Sequence, residues 1–286
     1  MRNEDSALVL QGGSLRSLFT AGVLDVLIEN GIEFPYVNGV SAGSLCAMNY
    51  ISKQVGRTKN VNVRYLHDKD YIGISNMLRG KGLFNFDYLF HYISKDDPFD
   101  WETFEQSNTR YVAVATNIQT CQAEYLEKKG HREIELSASA SSSLPLVNPP
   151  VKLDGKEYLD GGLSDPVAYE EALRQGYHKR VVILTRERGY RKKRPSKQLM
   201  KLYCAKYGNH PQLLQTLIYM WEDYNRMMDD LEEREGKGEL FVIRPVAPVD
   251  VKRVERDPKK LQALYREGRL IAEQQIPDVK TYLELY

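Results

Sequence analysis

The chain has only three cysteines, Cys46, Cys121 and Cys204, in 286 residues. They are too few and too scattered for a disulfide framework or a zinc site. No uncharged apolar run approaches the ~18 residues of a membrane span. The opening MRNEDSALVL has acidic residues where a secretory signal needs a basic and then an apolar stretch. An excess of either charge is also missing: 40 basic against 39 acidic side chains give a formal net charge of +1, which offers no reason to expect nucleic acid as a partner. Neither G-x-G-x-x-G nor G-x-x-x-x-G-K-[ST] occurs, which weakens a nucleotide-binding reading. A soluble cytoplasmic protein is the expectation left by these absences.

What remains is ordinary globular material, 42% hydrophobic and 28% charged. Residues 7–11 (ALVLQ) read as a buried strand ending in Gly12-Gly13, and residues 17–30 follow with apolar positions at helical spacing. Residues 36–40 read as a second strand, and residues 42–51 as a second helix. Strand, helix, strand, helix at these lengths predicts a parallel sheet with crossover helices. Further strands are expected at 111–116, 181–185 and 240–244, with a hairpin over 151–159 around Asp154-Gly155. Asp165-Pro166 is expected to cap and open a helix through residue 175. Long helices are expected at 212–234 and 259–275. With no internal repeat and no disordered linker, we expect one domain over 1–286, with a motif-bearing core at about 7–185 and a helical extension at about 196–286.

Three short motifs carry the chemistry. Gly39-Val40-Ser41-Ala42-Gly43 is a G-x-S-x-G between a strand and a helix. A serine on such a sharp turn points its hydroxyl out of the sheet, and glycines two positions either side let neighbouring backbones crowd in. The bland reading is a tight turn in which Ser41 merely caps the helix. Gly12-Gly13-Ser14-Leu15-Arg16 offers successive backbone N–H groups to one anionic oxygen, as acyl transfer requires, or is a simple turn. Asp160-Gly161-Gly162 supplies a carboxylate that can take a serine proton, or a turn aspartate.

In this order the three motifs resemble the patatin-like phospholipase family. Ala138-Ser139-Ala140-Ser141-Ser142-Ser143-Leu144-Pro145 looks like that family's serine-rich segment, and the resemblance runs from about Leu8 to Pro166. It implies an α/β three-layer sandwich with a mostly parallel central sheet, and hydrolysis of acyl esters of glycerolipids without metal or other cofactor. By position it implies Ser41 as nucleophile, Asp160 as base, Gly12, Gly13 and Ser14 as oxyanion donors, and Arg16 as a brace for that loop. Gly39, Gly43, Gly161 and Gly162 would support the two turns. Ser14 and Ser17 stand where the family commonly has glycine.

Two rival readings stay open at this point: a catalytically silent lipid- or acyl-binding protein on the same fold, and a Ser-His-Asp α/β-hydrolase. A triad would need His178 or His210, the histidines that follow Asp160, and both read as surface residues. Phe84, Phe86, Phe90, Phe99 and Phe104, with Tyr88, Tyr92 and Trp101, either line an acyl-chain pocket or pack the core. The run from Arg186 to Arg194 (RERGYRKKR) is a solvated loop or a contact for anionic lipid head groups.

Overall fold

In the computed structural model, which describes every residue except Lys128 and Tyr286, the first strand is apolar on both faces. Strand β1 (Ser6–Leu10) points Leu8 and Leu10 into one core cluster, and Ala7 and Val9 into another. A strand buried on both sides belongs at the centre of a covered parallel sheet. There it lies, between β2 (Tyr36–Val40) and β7 (Lys179–Ile183), parallel to both. The order is β5-β6-β3-β2-β1-β7-β8, with β3 (Arg110–Asn117), β5 (Val151–Leu153), β6 (Lys156–Asp160) and β8 (Leu240–Ile243); β4 (Ala123–Leu126) pairs with β3 off this path.

Helices cover both faces. On one side lie α1 (Leu18–Glu29), α2 (Ala42–Ile51), the His131–Ser141 helix and the Pro258–Tyr282 helix. On the other lie the short Tyr169–Arg174 helix and the long Pro211–Gly236 helix, which contributes Tyr224, Met228 and Leu231. This is the expected three-layer α/β sandwich. Its last third is more than helical, since β8 completes one edge of the sheet beside β7. The Pro258–Tyr282 helix meets α1 backbone to backbone: a Cβ on Gly22 would lie 2.2 Å from the Tyr265 carbonyl, and one on Gly268 2.1 Å from that of Phe19. Asp25 of α1 accepts hydrogen bonds from the Tyr265 hydroxyl at 2.5 Å and the Gly56 amide at 2.9 Å.

The expected boundaries of β2 and α2 hold, and the 151–159 hairpin turns through positive φ at Asp154 and Gly155 as a type I′ turn requires. The expected helix over 165–175 is corrected. Residues Gly161–Leu163 form a 3-10 turn, the helix begins at Tyr169, and its first position has no side-chain cap. Asp165 is instead turned inward, where it accepts the Tyr125 hydroxyl of β4 at 2.9 Å. Strand β4 had no alternating pattern long enough to read, so this partner was invisible in the sequence.

The register around β3 positions the site. Both β4 and β6 pair antiparallel with Ala115, so they flank opposite sides of β3; β4 and β2 likewise share Ala113 and Val114. Strands β2 and β6 therefore run along the same side of β3, in opposite directions, and their C-terminal ends meet. Val40 pairs with Val114 and Asp160 with the next residue, Ala115.

Candidate active site

Ser41 stands where β2 breaks into α2. Its backbone sits at φ 56° and ψ −130°, a region that side chains rarely adopt. Such strain costs on the order of 1–3 kcal/mol and persists only where the surroundings over-determine it. Here they do. A Cβ on Gly39 would lie 2.5 Å from the Ser44 nitrogen, and one on Gly43 2.5 Å from the Leu10 carbonyl, so only glycine lets the strand, the helix and β1 approach this closely. The Ser41 carbonyl accepts the Ser44 amide and hydroxyl at 2.9 and 2.7 Å, and its amide donates to Ser141 Oγ at 2.8 Å.

Asp160, at the end of β6, is held from several sides. Its amide donates to the Ser143 carbonyl at 2.8 Å and its carbonyl accepts the Thr116 hydroxyl at 2.8 Å. Carboxylate atom Oδ1 accepts the Gly162 amide at 2.8 Å, so Asp160 does cap the turn that follows it. The other oxygen, Oδ2, is buried without a hydrogen-bond partner among the described residues. The Ser41 hydroxyl is near enough to favour the ionised carboxylate, yet the pair is not closed into a hydrogen bond of ordinary geometry. Burial pushes the Asp160 carboxyl above the usual carboxylate range; Ser41, the Gly162 amide and the charges of Arg253 and Lys192 pull it back. A Cβ on Gly161 would lie 2.1 Å from the Val114 carbonyl, so glycine is needed where the chain leaves the sheet.

The glycine loop lies against this pair. A Cβ on Gly12 would lie 2.8 Å from Ser41 Cβ, and the Gly12 carbonyl accepts the Thr185 hydroxyl at 3.0 Å. No acceptor among the described residues takes the Gly12, Gly13 or Ser14 amide hydrogens. Ser14 sits at φ 50°, in the left-handed region, so the serine that replaces the family's usual glycine is held in a glycine conformation. Arg16 Nε is buried and unbonded, so no bond from that atom braces the loop.

Two chambers open on Ser41. The first, about 810 Å³ with its open mouth, is lined by Leu45, Met48 and the aromatics Phe84, Phe86, Phe90 and Phe99. Phe104 instead packs into the core against Tyr111. The second, about 1070 Å³ with its mouth, holds Asp160, Gly12, Gly13 and a group of cations. No histidine lines either chamber, and all five are exposed; His178 pairs with Asp5 and His210 precedes the Pro211–Gly236 helix. A histidine triad therefore has no third member here among the described residues. No cluster of three potential metal ligands is found among them either.

The loop from Arg186 to Arg194 turns part of its charge inward, while Arg188, Lys193 and Arg194 stay exposed. Arg191 pairs with Asp229 and Glu232, Arg188 pairs with Glu235, and Arg186 stacks on Tyr190. Lys192 lies over the Tyr224 ring, its backbone clamped by Asn225. Nothing in the serine-rich segment itself announces that it ties the site together. Its residues fall at the end of the His131–Ser141 helix, where Ser141 holds the Ser41 amide and the Ser143 carbonyl holds that of Asp160.

A family model described as patatin-like phospholipase matches residues 8–173, more than half of the chain, and the chain belongs to that family. Residues 210–284 match a second model, described as a domain of unknown function, DUF6363. The uncharacterized protein YjjU of Escherichia coli is 26% identical over 92% of this chain and 75% of its own length. A probable lipid hydrolase, 463L, of invertebrate iridescent virus 6 is 25% identical over 60% of this chain, and the lysophospholipase NTE1 of Meyerozyma guilliermondii is 29% identical over 62%. This chain spans 63% of the viral protein and 12% of the yeast one. No helix among the described residues is long and apolar enough to cross a membrane.

Proposed function

We propose that this protein is a serine acyl-hydrolase of lipid esters, of phospholipase or lysophospholipase type, that works with a Ser41–Asp160 dyad. The observation that carries the reading is the head-to-head meeting of β2 and β6 on one side of β3, which puts a strained serine near a buried carboxylate that has one oxygen without a hydrogen-bond partner among the described residues. The lipid hydrolase names of the viral and yeast relatives support the substrate class. Asp160 accepts the Ser41 proton as Oγ attacks the ester carbonyl, and the Gly12, Gly13 and Ser14 amides receive the oxyanion. The proton passes to the departing alcohol, leaving an acyl-serine. Water, deprotonated by the same carboxylate, attacks the acyl-serine; Ser41 recovers its proton and the fatty acid is released. The phenylalanine-lined chamber accommodates the acyl chain. Its three unpaired thiols suit a reducing compartment, and we assign the protein to the cytoplasm.

An active-site fluorophosphonate is the direct test. Peptide mass analysis should find one label, on Ser41, and none in Ser41→Ala. A chain that is never labelled and hydrolyses no acyl ester is a silent lipid-binding protein, and the proposal fails.

A further inference from the structure

The second chamber is strongly one-sided in charge. Arg16, Arg186, Lys192 and Arg253 line it, and among the described residues Asp160 is the only carboxylate that does. Among the described residues, none of the four cations has a carboxylate within salt-bridge distance, although Arg191, Arg188 and Arg244 close by are all paired. The Nε atoms of Arg16 and Arg186 are buried without acceptors. Arg16 feels the charges of Arg186 and Arg253, and Lys192 those of Arg253 and Arg16, opposed by Asp160. Gathering like charges at a half-buried wall is unfavourable unless an anion joins them.

We propose that this chamber is a head-group site for a phosphate monoester, so that the preferred substrate is an acyl ester of a glycerol phosphate and not a neutral acylglycerol. The inference rests on the hydrolase reading, and it names the substrate class of that site. Geometry supports the pairing: both chambers include Ser14, Ser41, Phe84 and Leu144, so a carbonyl at Ser41 has apolar space on one side and cations on the other. Guanidinium groups bind phosphate oxygens bidentately, and a lysine adds a point charge. Arg186, Lys192 and Arg253 all lie outside residues 8–173, so the patatin-like match does not cover them; Arg253 falls within the 210–284 match.

The test compares three monomeric esters with one acyl chain: an acyl-glycerol phosphate, the corresponding phosphocholine and the monoacylglycerol. The phosphate monoester should show the highest kcat/KM, about tenfold or more above the monoacylglycerol, and Arg253→Gln and Lys192→Met should shrink that ratio about tenfold. Arg253 is exposed, with no hydrogen bond of its side chain among the described residues, so its replacement leaves the fold alone. A ratio near one in the parent protein, or a ratio that neither substitution changes, overturns the proposal. Inorganic phosphate that inhibits monoacylglycerol hydrolysis without any preference among the three lipids assigns the chamber to free phosphate, which also overturns it. Binding to Ser41→Ala separates the two readings. If the acyl-glycerol phosphate raises its Tm more than the monoacylglycerol does, and Arg253→Gln removes the difference, the head-group site stands even where hydrolysis fails. No such difference overturns the site while leaving the hydrolase intact.

Discussion

Replacing Asp160 with asparagine separates its chemical role from its structural one. The side chain keeps its shape, and the amide oxygen can accept the Gly162 N–H that now holds Oδ1 at 2.8 Å. The NH₂ group takes the place of Oδ2, which has no partner among the described residues, and an amide cannot take the Ser41 proton. Loss of a positioned base costs ~10²–10⁴-fold in kcat, or about 2.7–5.5 kcal/mol of barrier at ~1.36 kcal/mol per tenfold. Stability should move the opposite way. Burial raises the Asp160 pKa in the folded state, so over the window above 3.8 the folded chain holds a proton that the unfolded chain has lost. That contribution to stability is therefore present at low pH and is lost as pH rises through the folded pKa. The neutral asparagine escapes this loss, so the two proteins should melt alike in acid and Asp160→Asn should gain relative to the parent towards neutral pH. Steady-state hydrolysis of a soluble ester, with thermal melts across the same pH range, reads both effects. Asp165→Asn is the control, because Asp165 is buried in bonding to Tyr125 and should leave kcat unchanged. An Asp160→Asn protein that keeps full activity, or one that is inactive and less stable at neutral pH, refutes the reasoning.

Three further outcomes follow from the geometry. Ser41→Gly and Ser41→Ala should both be inactive, but glycine should be more stable by about 1–2 kcal/mol, because it accepts φ 56° without the penalty an L side chain carries there; equal melting temperatures would mean the elbow is unstrained. For an anionic ester, kcat/KM should fall as pH rises past about 8, where burial and repulsion by Arg253 bring the Lys192 ammonium to its titration point, and the fall should be absent for a neutral ester. Stability has the opposite sign there: a depressed lysine pKa makes the fold steadier as pH rises from about 8 towards 10.5, so a melt distinguishes lost binding from lost structure. Gly268→Ala should cost about 1–3 kcal/mol by overpacking against Phe19, whereas Gly236→Ala, with open space around it, should cost nothing; urea titrations compare them.

Much of this was legible in the sequence because it rests on local patterns. The elbow, its flanking strand and helix, and the hairpin turn at Asp154-Gly155 are each specified by a few neighbouring residues. The unread parts depend on contacts distant in sequence. The role of Ser141 needs a helix end docked behind Ser41, and nothing in a run of serines announces that. Asp165 reads as a helix cap because Asp-Pro fits one, but the hydroxyl of Tyr125 competes for it. The charges of Arg188 and Arg191 look solvated in one dimension, yet their partners lie on the Pro211–Gly236 helix. The opposed arrival of β2 and β6 was equally hidden, since it follows from which side of β3 the short β4 occupies.

That opposed arrival bears on when, on the dyad reading, the chain would become able to cut lipid. The residues of the serine elbow are all present once β1, β2 and α2 have been synthesised, although Ser141, which holds the Ser41 amide, comes later. Asp160 comes much later, on a strand that must travel back along β3 to reach it, and Arg186, Lys192 and Arg253 come later still. A growing chain thus carries Ser41 without Asp160 and without the cations of the second chamber. On the dyad reading, hydrolytic power is withheld until the far end of the domain has closed on the near one, so the membranes around the site of synthesis never meet a half-made enzyme that can cut them.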